Sequence, residues 1–176
     1  MAPLLVASAA APVAIAADYL SLADAQRAIF PEATGLREVV LTLTMAQRQQ
    51  LLTLAGPQPP RGALHVWEVR SNAAIVGHFF SDQVVGRQDF IDYALGINPD
   101  GSLRTLEIMS YRESHGAEVR NKNWRRQFAQ RRSVQQLGFQ TGIKNIAGAT
   151  MSCEHVTAGA RYLRALWQIA LQPAGQ

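Results

Sequence analysis

The stretch Asn145-Ile-Ala-Gly-Ala-Thr-Met-Ser152 offers one hydroxyl, that of Thr150, among side chains too small to obstruct it. It stands just ahead of the longest run of helical periodicity in the chain. Ala147, Gly148 and Ala149 let an external group come close to the backbone. Free N–H groups and the positive end of the dipole at a helix start favour a phosphate. A Thr hydroxyl at that place can touch a phosphate or be esterified to it. The same residues also suit a plain structural use, with Thr150 or Ser152 capping the helix, and on composition alone that use is the commoner one.

A second polar group is Glu113-Ser-His-Gly116, a loop that follows a strand pattern. It is either a solvated turn or a set of hydrogen-bonding partners for a ring edge, with His115 as a possible proton partner. From Arg112 to Arg132 there are seven cations and two anions, leaving 10 cations against 11 anions elsewhere. The net charge of +4 therefore belongs to one segment. Most of these cations should line a solvated face, with one of them near Thr150. Trp124 and Phe128, at i and i+4, are expected in the core. His65, His78 and His155 lack metal-ligand spacing, and the lone Cys153 allows neither an intramolecular disulfide nor a Cys-based metal site. No Ser-His-Asp order, paired-carboxylate pattern, GxGxxG or P-loop is present.

The elements that must position these residues follow from pattern. Ser21 to Asp24 is a capping box for a helix that Pro31 stops. Residues 37–43 read as a strand, and Thr44 and Gln47 cap a second helix that ends at Gly56. After a loop at 56–62 come strand patterns at 63–70, 74–81, 90–97 and 103–111, the last two joined by an Asn98–Gly101 turn. Residues 121–130 read as a short helix, and a long one starts near Ser152, leaving Thr150 in a loop. Strands in the middle with helices outside imply an α+β fold, an antiparallel sheet with flanking helices.

The chain has 176 residues, 48% of them hydrophobic, enough for one domain with its own core. Residues 1–16 carry no charge and end on a small-x-small pattern at Ala14 to Ala16. This reads as an export signal, leaving residues 17–176 as the domain and placing it in a bacterial periplasm. Nucleic acid is not an expected partner of an exported chain.

Residues 143–163, Ile-Lys-Asn-Ile-Ala-Gly-Ala-Thr-Met-Ser-Cys-Glu-His-Val and onward, resemble the motif region of bacterial FMN-binding domains. These domains occur in subunits of the Rnf and sodium-pumping NADH:quinone reductase complexes and in small periplasmic relatives. Ile146, Gly148, Ala149, Thr150, Ser152 and Val156 fit the family pattern. A second stretch, 111–128, is similar to the family's Glu-Thr-Pro-Gly segment with its following Trp and Gln-Phe, through Glu113, Ser114, Gly116, Trp124, Gln127 and Phe128. The resemblance covers about residues 60–170. It implies an electron carrier whose FMN is joined, by a flavin transferase, through its phosphate to Thr150, and which exchanges electrons with a membrane or periplasmic redox partner. Ala147, Gly148, Ala149, Thr150, Ser152 and Glu113 to Gly116 would bind the cofactor. Lys144 stands where the family has Asp, Ala147 where it has Ser or Thr, and His115 where it has Pro. The first two departures favour another class of protein, a secreted binding module that keeps the fold without the flavin, or FMN held without a bond.

Overall fold

A computed structural model describes residues 17–172. The export segment expected at 1–16 lies outside the described residues. Six antiparallel strands form one sheet, in the order β1-β6-β5-β4-β3-β2. They are β1 (Ala17–Asp18), β2 (Gly35–Glu38), β3 (His65–Ser71), β4 (Ala74–Val85), β5 (Phe90–Ile97) and β6 (Leu103–Tyr111). Helix α1 (Leu22–Ile29) precedes β2, α2 (Met45–Ala55) follows it, and α3 (Lys122–Arg125) and α4 (Thr150–Ala170) follow β6. This is the α+β architecture that the pattern implies. No described helix is long and apolar enough to cross a membrane.

Strand alternation sends neighbouring side chains to opposite faces, and the two faces carry separate cores. Phe79, Ala94 and Met109 pack with Ala25 and Ile29 of α1 and with Phe30, the residue that caps its end. Phe80, Leu95 and Leu106 stand opposite one another across β4, β5 and β6. They bury with Val156, Ala160, Leu163 and Trp167 of α4 and with Leu51 and Ala55 of α2. Under α4 lies a polar group that the sequence does not announce: Tyr93 donates to the fully buried Asp82, which also takes Arg61 Nη2 at 2.6 Å.

Several boundaries differ from expectation, β2 and β3 beginning at Gly35 and His65 among them. β2 stops at Glu38, where its pairing with β3 ends at Trp67, although the register would carry 39–43 on against 62–66. Val39 N–H still reaches Val66 O at 2.8 Å, after which Val40 stands 90% exposed. β4 runs on to Val85, since β5 supplies partners as far as Phe90. The 121–130 helix is one α-turn followed by a 3-10 turn at Arg126–Phe128. Finally, α4 begins at Thr150 and not Ser152, so Thr150 is the first helical residue and does not sit in a loop.

Candidate functional site

The start of α4 has no side-chain cap. Its N-cap is Ala149, and neither Thr150 nor Ser152 serves that role. The first intrahelical bond runs from Cys153 N–H to Ala149 O at 2.8 Å. The N–H groups of Thr150, Met151 and Ser152 come before it, without intrahelical acceptors. Gly148 turns the chain into the helix with φ +87°, a left-handed conformation that glycine adopts at little cost. Thr150 is exposed, and its Oγ1 accepts a hydrogen bond from Asn145 Nδ2 at 2.8 Å. That bond occupies a lone pair and leaves the hydroxyl proton free.

An open cavity of about 220 Å³ adjoins this helix start. Gly148, Ala149, Thr150 and Ser152 line it from α4 and the preceding loop, His115 and Gly116 from the loop after β6. Met151 and Arg87 complete the wall. Three larger clefts, of about 410, 570 and 380 Å³, open elsewhere among the described residues, one between the 38–48 segment and Tyr162, the other two around Arg161. None reaches Thr150.

The floor is a short chain of hydroxyls. Tyr111 donates its only hydroxyl proton to His115 O, so Ser152 donates to Tyr111 across 2.9 Å. Burial pushes the Tyr111 phenol above its ordinary range, which keeps it a donor. Gly116 has φ +92°, and a Cβ there would sit 2.5 Å from the Tyr111 hydroxyl and 2.9 Å from Ser152 Oγ. The loop can therefore close on the floor only with glycine at this position.

Other candidate residues lie beside the cavity, not on it. The Glu113 carboxylate is taken up by the turn between β4 and β5: Oε1 accepts the N–H groups of Arg87, Gln88 (2.5 Å) and Asp89 (2.9 Å). Ser114 bonds its exposed neighbour His115 through Oγ and Nδ1 at 2.9 Å. Ala147 is exposed and outside the lining.

The second motif supports the first through the backbone. Trp124 Nε1 and Gln127 Nε2 both donate to Lys144 O, at 2.8 and 3.3 Å, and Lys144 N–H donates to Gln127 Oε1 at 2.8 Å. Trp124 and Phe128 are buried edge to face, their ring centroids 5.1 Å apart. The exposed Lys144 side chain has no part in this clamp. The Arg/Lys window does not supply the cavity with a cation. Arg112 pairs with Asp92 at 3.1 Å, Arg125 with Glu107, and Arg132 with Asp100 at 2.8 Å. Arg131 donates to the carbonyls of Gln127 and Gly142, and Arg120 lies 3.3 Å over the Tyr19 ring. The cation at the cavity is Arg87, outside that window, on a turn for which the sequence gives no signal.

Residues 86–164 match the family model of the FMN-binding domain. The match covers a little under half of the chain. It indicates FMN as the cofactor. The matched span starts at the turn that bears Arg87, contains both motif segments, and ends inside α4. No curated protein matches the chain.

The residues of the FMN-binding domain suit the phosphate end of that cofactor. Unpaired helix N–H groups, an accessible hydroxyl, side chains of minimal size and one Arg meet there. At about 220 Å³ the cavity is smaller than the roughly 300–1,000 Å³ of pockets that enclose a drug-sized ligand, so it has room for one end of such a molecule and not for the whole.

Proposed function

We propose that the protein is a periplasmic electron carrier whose FMN is joined through its phosphate to Thr150 Oγ1. The observation that carries this reading is the exposed Thr150 hydroxyl, at an uncapped helix start, inside the span that matches the FMN-binding domain. When bound, FMN supplies one- and two-electron chemistry. The chain's own residues hold and orient it. Asn145 holds the Thr150 oxygen in place, the α4 N–H groups meet the phosphate charge, and Tyr111 and Ser152 brace the 115–116 loop against the helix. Export is supported by the uncharged 1–16 segment with its small-x-small end. A flavin transferase would make the bond, and a membrane or periplasmic redox partner would exchange electrons with the flavin.

A second reading has FMN held without a bond, and Lys144 and Ala147 favour it if the transferase reads those side chains. The exposure of both leaves them accessible to a modifying enzyme. Intact-mass measurement after co-expression with a flavin transferase separates the readings. A gain of about 440 Da, for esterification of a phosphate with loss of water, supports attachment. In that case Thr150→Ala should abolish denaturation-resistant flavin while the protein stays folded. A yellow protein of unmodified mass favours the second reading, and a colourless one overturns both.

A further inference from the structure

We infer that Arg87 is the phosphate-recognising side chain of the flavin site, and that Glu113 and His155 position it by locking the turn on which it stands. The inference rests on FMN occupying the cavity at Thr150. Arg87 is the only permanently charged residue among the described residues that line that cavity. Its guanidinium makes no ion pair or hydrogen bond among the described residues, whereas the Arg side chains of the basic segment nearby are engaged. It faces a helix start with three N–H groups ahead of the first intrahelical bond. A dianionic phosphate monoester matches that combination, through charge-assisted hydrogen bonds from the guanidinium and bonds from the backbone.

The turn itself is unusually constrained. Gly86 N–H bonds Asp89 O at 2.8 Å across it. Glu113 Oε1 gathers the next three N–H groups on one side. On the other side His155 Nδ1–H donates to Val85 O at 2.6 Å and to Gly86 O at 3.0 Å. A Cβ on Gly86 would come within 2.6 Å of Glu113 Oε1, so this close approach also requires a glycine. Glu113 belongs to the loop after β6 and His155 to α4, one helical turn beyond Met151. Both segments that flank the cavity therefore hold the turn, which spares the ordering cost that an exposed Arg on a loose turn would bring to binding.

The test is a fluorescence titration of protein made without a flavin transferase, against FMN and against riboflavin, which has the same ring and ribityl chain but no phosphate. The wild-type protein should prefer FMN. Arg87→Gln should weaken FMN binding about tenfold, the scale of one charge-assisted hydrogen bond, and leave riboflavin unchanged. Arg87→Lys should keep part of the preference, because it keeps the charge but not the fork. Glu113→Ala should lower the FMN-to-riboflavin ratio in the same direction by a smaller factor. An unchanged ratio in Arg87→Gln overturns the inference while FMN binding itself stands. Equal loss of both ligands marks a general structural role and also overturns it. A wild-type protein that binds neither flavin removes the FMN site as well.

Discussion

The indole Nε1 of Trp124 donates to the carbonyl of Lys144 at 2.8 Å, and through that bond the segment after β6 holds the loop that leads to Thr150. The acceptor is a main-chain oxygen, so the side chain at 144 is free to vary while the loop keeps its place. The substitution of Lys for the family's Asp thus leaves the clamp intact and acts only on whatever reads the surface.

Trp124→Phe should keep the buried ring and lose this bond. Lys144 O retains Gln127, so the cost should be about 1 kcal/mol, read as a lower urea midpoint at unchanged slope. Gln127→Ala removes the bonds to both Lys144 N–H and Lys144 O and should cost more, about 2 kcal/mol. If Gln127→Ala instead leaves both the midpoint and FMN affinity untouched, the clamp has no role in holding the Thr150 loop.

Two glycines flank the cavity with similar backbone and different surroundings. At Gly148 the nearest atom to an added Cβ is Glu118 Oε1 at 3.8 Å, so Gly148→Ala should cost only the left-handed strain, about 1 kcal/mol. At Gly116 the methyl would meet the Tyr111 hydroxyl at 2.5 Å, and strain plus overpacking should cost about 2–4 kcal/mol. Thermal melts of the two variants should therefore separate clearly. Equal melting temperatures would show that the 115–116 loop moves away from Tyr111 freely.

His78 gives the fold a dependence on pH. Its Nδ1 accepts Trp167 Nε1–H at 3.1 Å, deep between β4 and α4. Burial lowers its pKa, Glu68 opposes that shift and Arg37 adds to it. The unfolded chain then binds this proton more readily than the folded one. Stability should fall as pH drops below about 6.5, by at most about 1.4 kcal/mol per pH unit from this group. His78→Gln, whose amide oxygen can still accept from Trp167, should show a shallower decline between pH 7.5 and 5.5. Parallel curves for the two proteins would place the acid sensitivity elsewhere.

Much of the architecture could be read ahead of the coordinates because alternation and capping are local signals. The Thr44–Gln47 capping box and the α4 stripe of Val156, Ala160, Leu163 and Trp167 are present as the pattern requires. The start of α4 could not be read, because Ala149 caps through its backbone alone and leaves no side-chain mark. The end of β2 was hidden for another reason: Val39 to Leu43 looks like a strand, but pairing depends on a distant segment, and the ladder with β3 ends at Glu38 and Trp67, with one further bond from Val39 N–H to Val66 O. Around the cavity the small residues and the Glu113–Gly116 loop stood out as sequence. What Glu113 does there did not, since its three contacts are main-chain N–H groups on a distant turn. Arg87 was obscured by the richer charge of 112–132, where five of the seven cations turn out to be engaged with carboxylates, carbonyls or a Tyr ring.

Helix α4 spans 21 residues, so its far end lies about 30 Å from Thr150. The other terminus of the described domain is close at hand, because Ala17 pairs with Tyr111, whose hydroxyl bonds Ser152. A dye, spin label or affinity handle joined after Gln172 would sit well clear of the cavity, while one placed ahead of Ala17 would crowd its edge.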